Sequence, residues 1–170
     1  GEKKPEKVLY LLHGRSDDYT KWRRFTRVEA FAEQYQICVV MPAAHRSFYT
    51  DMASGERFYT YISQEVPQVA RALFGFSEKK EDNFIAGLSM GGYGALKIAM
   101  RNPERFAATA SMSGVTDIFR FMRENTDSVE LKSIFGDITQ VRPEDDLFAL
   151  AKKTVEQKSA LQFYLACGTE

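Results

Sequence analysis

Residues 83–94 read Asn83-Phe84-Ile85-Ala86-Gly87-Leu88-Ser89-Met90-Gly91-Gly92-Tyr93-Gly94. Within this stretch Gly87 to Gly91 match the pattern G-x-S-x-G, with an apolar, strand-like run before the motif and a helix-like run after it. A strand, a sharp turn and a helix in this order form a nucleophile elbow, which projects a serine hydroxyl above the edge of a sheet. The pattern therefore predicts that Ser89 is a nucleophile and that the Met90 N–H points into the same space.

The glycines of the motif have a steric explanation. An elbow holds its central residue in a sparsely populated backbone conformation. We expect that a Cβ at Gly87 or Gly91 would collide with the neighbouring strand or helix. The helix that follows Ser89 favours negative charge at its first turn through its dipole. The alternative is a tight strand-to-helix connection in which Ser89 only caps the helix.

Two nucleotide-binding patterns are missing from the same glycine-rich stretch. Gly92-Tyr93-Gly94 is followed by Lys97 where the dinucleotide pattern G-x-G-x-x-G requires a glycine, and no G-x-x-x-x-G-K-[ST] pattern occurs. The sequence therefore gives no support to a nucleotide-binding function.

Short apolar runs alternate with longer segments of helical period along the rest of the chain. Runs that are apolar on both faces suit strands covered on both sides, as in parallel sheets. The alternation predicts right-handed crossovers and a doubly wound, mostly parallel α/β sheet with helices on both faces. The strand-like runs are residues 8–12, 37–41, 84–86, 106–112 and 161–166, and the helix candidates are residues 22–35, 58–74, 93–101 and 147–157.

We predict one domain over residues 1–170, because no repeat, low-complexity tract or linker interrupts the pattern. Residues 117–159 are less regular than the rest. They are predicted to form an insertion that either overhangs the site or lies on the surface.

A second candidate element is His13-Gly14-Arg15, at the end of the first apolar run. In the fold that carries a nucleophile elbow, the loop after this strand supplies the second N–H of the oxyanion hole, and a glycine lets the backbone approach the substrate. We assign that N–H to Arg15, with Met90 as its partner. The alternative is an ordinary strand-ending turn.

The general base is harder to place. In this fold the usual chain order is serine, acid, histidine, but the two histidines, His13 and His45, both precede Ser89. Each is expected to be structural or to line a pocket. Asp117 and Glu170 are candidate acids, since each follows a predicted strand.

Composition excludes some partner classes. Lys plus Arg and Asp plus Glu both number 23, so no net charge attracts nucleic acid or an anionic membrane. No apolar run approaches the roughly 20 residues needed to span a bilayer. Cys38 lies in one apolar run and Cys167 directly follows another, which predicts buried thiols and a cytoplasmic, reducing compartment, with secretion left open.

The sequence resembles the putative esterases of the esterase D and S-formylglutathione hydrolase group, which have the α/β-hydrolase fold. It is most similar to the small bacterial acyl esterases that act on tributyrin-type esters. The resemblance lies in segments spread in order along nearly the whole chain: Leu11-Leu12-His13-Gly14, Tyr49-Thr50-Asp51-Met52, Gln64-Glu65-Val66-Pro67, Ala86 to Ala95 and Cys167-Gly168-Thr169-Glu170.

The resemblance implies that Ser89 is the nucleophile and that the Arg15 and Met90 backbones form the oxyanion hole. It also implies that the catalytic Asp directly follows Glu170, that the His lies further on, and that strands precede Gly1. On this interpretation the chain is the central portion of a longer protein, incomplete at both termini.

The implied activity is hydrolysis of short-chain acyl or acetyl esters through an acyl-enzyme on Ser89, without a metal or an organic cofactor. The alternatives are a thioesterase of the S-formylglutathione type, an acyltransferase such as the mycolyltransferases of this fold, and a non-catalytic binding module that retains the elbow. The expected partner is a small-molecule ester, with a homo-oligomer possible. Candidate pocket residues are Trp22, His45, Tyr49 and Asp51, together with Phe48 and the Met90 side chain.

Overall fold

A computed structural model describes residues 6–168, which contain a five-stranded sheet in which all neighbouring strands are parallel. The parallel sheet predicted from the apolar runs is therefore confirmed. Its spatial order is β2-β1-β3-β4-β5. The strands are β1 (Lys7–Leu12), β2 (Ile37–Val40), β3 (Asn83–Leu88), β4 (Ala108–Met112) and β5 (Gln162–Ala166).

The strand order creates a crevice between β1 and β3. The chain leaves β1 towards β2 at one edge and then returns past β1 to build β3, β4 and β5 on the other side. Open α/β sheets bind ligands at such a reversal, outside the carboxyl ends of the strands. Leu12, the last residue of β1, lies opposite Gly87 of β3. The loops after β1 and β3 therefore begin side by side.

Two predicted helices are interrupted, each for a local reason. The helix predicted over residues 22–35 is divided into α1 (Lys21–Phe25) and α2 (Val28–Gln34), because Thr26 has an extended backbone. Residues 58–74 contain α3 (Phe58–Thr60), a π-helical turn (Tyr61–Glu65) and α4 (Val66–Phe74). The π turn ends just before Pro67, whose missing N–H cannot continue the α-helical hydrogen bonds.

The central helix is α5 (Met90–Arg101), which starts directly after Ser89 and is buried along nearly its whole length. The predicted insertion contains α6 (Ile118–Glu124), α7 (Val129–Phe135) and α8 (Leu147–Glu156), of which α8 packs against α5. Short 3₁₀ turns occur at Lys80–Asp82, Ile138–Gln140 and Pro143–Asp145.

The two faces of the sheet are covered unequally. One face, with Val8, Tyr10, Leu12 and Ile85, is buried and belongs to the hydrophobic core. The opposite face is open along a groove lined in part by Leu9, Phe84, Ala108 and Tyr164. The expectation of helices covering both faces is therefore only partly met among residues 6–168.

β5 shows the same departure from expectation. Four of its five residues are exposed, although its sequence predicted a buried strand.

The two cysteines are also less buried than predicted. Cys38 is partly buried and Cys167 is exposed, so the prediction of two buried thiols is wrong. Among residues 6–168, no helix combines the length and hydrophobicity needed to cross a bilayer.

Candidate active site

Ser89 occupies the sharp turn between β3 and α5. Its backbone has φ 55° and ψ −118°, a strained conformation for a residue with a side chain. The Ser89 N–H donates to the carbonyl of Met112 at the end of β4 (2.8 Å), which holds the turn in place. The side chain is partly exposed at the carboxyl edge of the sheet. This is the geometry of a nucleophile elbow.

The flanking glycines are required by close backbone contacts. A Cβ at Gly87 would lie 2.2 Å from the carbonyl oxygen of Gly91, and a Cβ at Gly91 would lie 2.4 Å from that of Leu12. Real Cβ atoms do not approach backbone atoms this closely. The steric role predicted for both glycines is therefore confirmed, and Gly91 brings helix α5 against the end of β1.

The oxyanion candidates lie on the two segments that meet at the crevice: Arg15 is in the loop after β1, and Met90 directly follows Ser89. Met90 is the first residue of α5, where N–H groups have no acceptor within the helix. Within residues 6–168, neither the Met90 N–H nor the Arg15 N–H donates a backbone or side-chain hydrogen bond. Gly14 lies against Ser89, since a Cβ added to Gly14 would be 3.7 Å from the Ser89 Cβ. One free N–H donor thus lies in the loop after β1, and another lies at the start of α5 directly after Ser89.

His13 is buried, and the backbone engages both of its ring nitrogens. Nδ1 donates to the Gly14 carbonyl (2.8 Å), and Nε2 accepts from the Ala44 N–H (3.0 Å). These partners fit one neutral tautomer and leave no nitrogen for Ser89. His13 is a structural residue that ties the loop after β1 to the loop after β2.

Residues 44–50 form a loop, here called the brace, which packs beneath both candidate donors. The Phe48 N–H donates to Met90 Sδ (3.3 Å), and the Tyr49 hydroxyl donates to the His13 carbonyl (2.9 Å). Phe48, Tyr49 and the Met90 side chain are buried. The structure thus places these three pocket candidates in the core under the site.

The remaining pocket candidates are spread around the site. Trp22 is partly buried, and its Nε1 donates to the Leu12 carbonyl (3.3 Å). His45 is exposed, with its ring edge-on to Phe58, and lines a separate cleft with Glu56 and Glu65. Within residues 6–168, neither His45 nor His13 hydrogen-bonds to Ser89.

Asp51 and Asp117 both accept hydrogen bonds at the start of a helical segment. Asp51 accepts from the Thr60 N–H (2.9 Å) and the Thr60 hydroxyl (2.7 Å), so it caps the helical segment that starts at Phe58. Asp117 caps α6 by accepting from the Arg120 N–H (2.8 Å). Glu170 lies outside the described residues. Within those residues, no cluster of three potential metal ligands occurs.

The family model described as "Putative esterase" matches residues 2–170 of the chain. The chain belongs to this esterase family. Its relatives include an acetyl esterase of Caldicellulosiruptor saccharolyticus, which is 30% identical over 174 aligned positions that cover 96% of this chain and 65% of the relative.

Two solved structures from Staphylococcus aureus resemble this member of the esterase family. The fluorophosphonate-binding serine hydrolase FphF is 34% identical with a TM-score of 0.87, over 99% of this chain and 67% of its own. The S-formylglutathione hydrolase FrmB is 35% identical with a TM-score of 0.84, over 100% of this chain and 67% of its own. The α/β-hydrolase fold is thereby confirmed. The chain spans about two thirds of the length of these relatives.

An ion cluster that was not predicted from the sequence lies at the oxyanion loop of this esterase-family chain. Glu130, in the first turn of α7, accepts from Arg15 Nε (2.9 Å) and Nη2 (2.8 Å) and also pairs with Arg46 Nη2 (2.9 Å). The hydrogen bonds from Arg15 lower the pKa of Glu130, and the same contact raises the pKa of Arg15. Because 115 residues separate Arg15 from Glu130, no local sequence pattern could have indicated this contact.

A second feature that was not predicted is a buried lysine on helix α5. Lys97 is fully buried and donates to Asp145 Oδ1 (3.0 Å), Thr50 Oγ1 (2.6 Å) and the Phe48 carbonyl (3.3 Å). Burial lowers the pKa of Lys97 to about 8, against the attraction of Asp145. The sequence did contain a signal, since Lys97 is a lone charge within the apolar run from Tyr93 to Met100. The lysine joins α5 to the brace.

Proposed function

We propose that this protein is a serine esterase that hydrolyses short-chain carboxylic esters of small molecules through an acyl-enzyme on Ser89. The observation that carries the proposal is the position of Ser89 in a strained elbow beside the free N–H groups of Arg15 and Met90. Family membership supports the same reaction class.

The geometry suits a two-step acyl transfer. Ser89 Oγ attacks the ester carbonyl carbon while its proton passes to a general base, and the oxyanion accepts hydrogen bonds from Arg15 and Met90. The C–O bond to the alcohol then breaks, and the base returns its proton to the leaving oxygen. Water repeats the sequence on the acyl-enzyme and releases the acid. Removing one oxyanion donor typically lowers kcat by about 10²–10³.

The general base of this mechanism is taken from the family resemblance. Both ring nitrogens of His13 are engaged by the backbone, and His45 makes no described contact with Ser89. The resemblance places the catalytic Asp directly after Glu170 and the His further along. We propose that these two residues complete the triad. The mechanism needs no metal or organic cofactor.

The test is hydrolysis of p-nitrophenyl butyrate by the 170-residue chain and by the product of the complete gene, each beside its Ser89→Ala variant. We expect negligible Ser89-dependent turnover in the 170-residue chain and clear turnover in the gene product. Turnover by the short chain that Ser89→Ala abolishes would instead assign the base to His45 or His13. Absence of turnover in both proteins would favour a non-catalytic binding module.

A fluorophosphonate probe gives an independent readout of the nucleophile. The probe forms a covalent phosphonyl ester with an activated serine, with loss of fluoride. Mass spectrometry of the labelled gene product is expected to place the adduct on the peptide that contains Ser89, and Ser89→Ala should abolish it. An adduct on another serine would contradict the assignment.

A thioesterase is the second candidate function, favoured by the 35% identity to an S-formylglutathione hydrolase. The same nucleophile and oxyanion hole serve both ester types. Comparing kcat/KM for a thioester and an oxoester of the same acyl group decides between the two functions.

We also propose a cytoplasmic location, because Cys38 and Cys167 are free thiols and such thiols persist in a reducing compartment.

A further inference from the structure

We propose that Glu130 is a positioning residue that fixes the Arg15 oxyanion donor and couples the inserted segment, residues 117–159, to catalysis. This inference rests on the proposed function. Glu130 does not touch the reacting atoms. It acts by holding the side chain of the residue whose backbone N–H faces the oxyanion.

The contact geometry is specific rather than a loose surface pairing. Arg15 contacts both carboxylate oxygens of Glu130 through Nε and Nη2, the bidentate arrangement that gives the strongest and most directional ion pairs. Arg46, on the brace, contacts the same two oxygens through Nε (3.0 Å) and Nη2 (2.9 Å). One carboxylate therefore joins the oxyanion loop, the brace and α7.

Helix α7 is a firm support for this carboxylate. Leu131, Ile134 and Phe135 are buried in the core, and the Phe135 ring packs against Phe48 of the brace at a centroid distance of 5.7 Å. The backbone carbonyl of Ile134 also accepts from the Ala53 N–H (2.9 Å), just beyond the brace. Glu130 is thus fixed on a helix that is held both by side-chain packing in the core and by a backbone hydrogen bond.

The oxyanion loop depends on such an anchor. Upstream of Arg15, His13 is held by Ala44 and Tyr49. Downstream, a turn is closed by the Asp17 N–H donating to the Gly14 carbonyl (3.1 Å). The Arg15 N–H must stay without a protein partner in order to bind an oxyanion. Its direction is therefore set by its neighbours and by the Arg15 side chain, and a displacement of about 1 Å in such a group can lower the rate about 100-fold.

A simple stabilising ion pair is the alternative explanation, and the chain offers a matched control for it. Glu124 on α6 pairs with Arg120 at 2.7 Å in the same inserted segment, but this pair is exposed and does not contact the oxyanion loop. The substitutions E130Q and E124Q each remove one carboxylate charge from this segment. Only E130Q is expected to affect catalysis.

The experiment compares kcat and KM for p-nitrophenyl butyrate, and the melting temperature, in the complete gene product and its E130Q and E124Q variants. We expect E130Q to lower kcat about 10- to 100-fold with little change in KM or melting temperature, and E124Q to behave as wild type. Rescue by E130D, which keeps the charge on a shorter side chain, should be partial. An E130Q enzyme with wild-type kcat, or an equal loss in E124Q, would overturn the inference. Inactive wild-type protein would instead contradict the proposed function.

Hydrogen exchange tests the positioning without relying on catalysis. Mass spectrometry of peptides covering residues 11–19 should show faster exchange in E130Q than in wild type, and no change in E124Q. Unchanged exchange of this loop in E130Q would refute the positioning role even if the protein hydrolyses no ester.

Discussion

The Tyr49 hydroxyl donates a hydrogen bond to the main-chain carbonyl of His13 at 2.9 Å, across 36 residues of sequence. The Tyr49 ring also fills the space beside Gly94, where a Cβ would lie 2.4 Å from its Cδ2. Tyr49 therefore connects helix α5, which starts directly after Ser89, to His13, the residue that precedes Gly14. One buried side chain thus contacts both segments that carry the proposed oxyanion donors, α5 and the loop after β1.

Replacing Tyr49 with Phe tests this connection. The change leaves the buried His13 carbonyl without its donor, so we expect the free energy of unfolding to fall by about 1–2 kcal/mol and kcat to fall with it. Urea unfolding and ester hydrolysis measure the two effects. Tyr164, which is 64% exposed, provides the control: Y164F should change stability by less than about 0.5 kcal/mol. Equal effects of the two variants would argue against the connection.

A methyl group at Gly91 is expected to disrupt the elbow. Its Cβ would meet the Leu12 and His13 carbonyl oxygens at 2.4 and 2.7 Å, and neither backbone can yield without moving the site. We expect G91A to destabilise the protein by about 3 kcal/mol and to abolish activity.

Gly14 supplies the stability control for G91A. The atom nearest to a Cβ added at Gly14 would be a carboxylate oxygen of Asp17 at 3.3 Å, the end of a side chain that can move. G14A should therefore remain folded, as judged by circular dichroism and its urea midpoint. A fully stable G91A would contradict the steric role of Gly91.

The buried pair of Lys97 and Asp145 is expected to be strongly coupled. Lys97→Met leaves the Asp145 carboxylate with Arg142 alone (2.9 Å), so we predict a loss of about 3 kcal/mol in the free energy of unfolding. The double variant with Asp145→Asn should lose less than the sum of the two single variants, by about 1–3 kcal/mol. Strictly additive losses in a double-mutant cycle would show that the pair is not coupled.

Asp145 also predicts a dependence of stability on acid pH. Burial alone would raise its pKa, but Lys97 and Arg142 outweigh burial and hold it below the ordinary value of 3.8. The unfolded chain therefore binds this proton at a higher pH than the folded chain, and stability is lost as the pH falls below about 4. Urea unfolding between pH 7 and pH 2.5 measures this slope. In D145N the free energy of unfolding should decline less steeply over the same pH range. An equally steep decline in D145N would show that Asp145 does not cause the pH dependence.

The glycine pattern and flanking runs were sufficient to predict the elbow, because each requirement is local. Gly87, Ser89 and Gly91 lie within five residues, and their strand and helix follow from the apolar period on either side. The parallel sheet followed from the same runs. The predicted helix boundaries were less accurate near Thr26 and Pro67. At these positions the backbone conformation interrupts a helix that the apolar side-chain period predicts to be continuous.

Partners distant in sequence could not be predicted in the same way. The roles of His13, Tyr49 and Glu130 depend on which backbone or charged group the fold brings within about 3 Å, and residue type alone does not specify that. The exposure of β5 likewise depends on which elements pack against it. An apolar run has the same sequence pattern whether its strand is covered by other elements or exposed to solvent. The sequence by itself determined the elbow at Ser89 and the parallel sheet, because strand, turn and helix propensities act between neighbouring residues. Only the tertiary structure decided how the oxyanion loop is held, because hydrogen bonds and ion pairs form between segments that chain folding brings together.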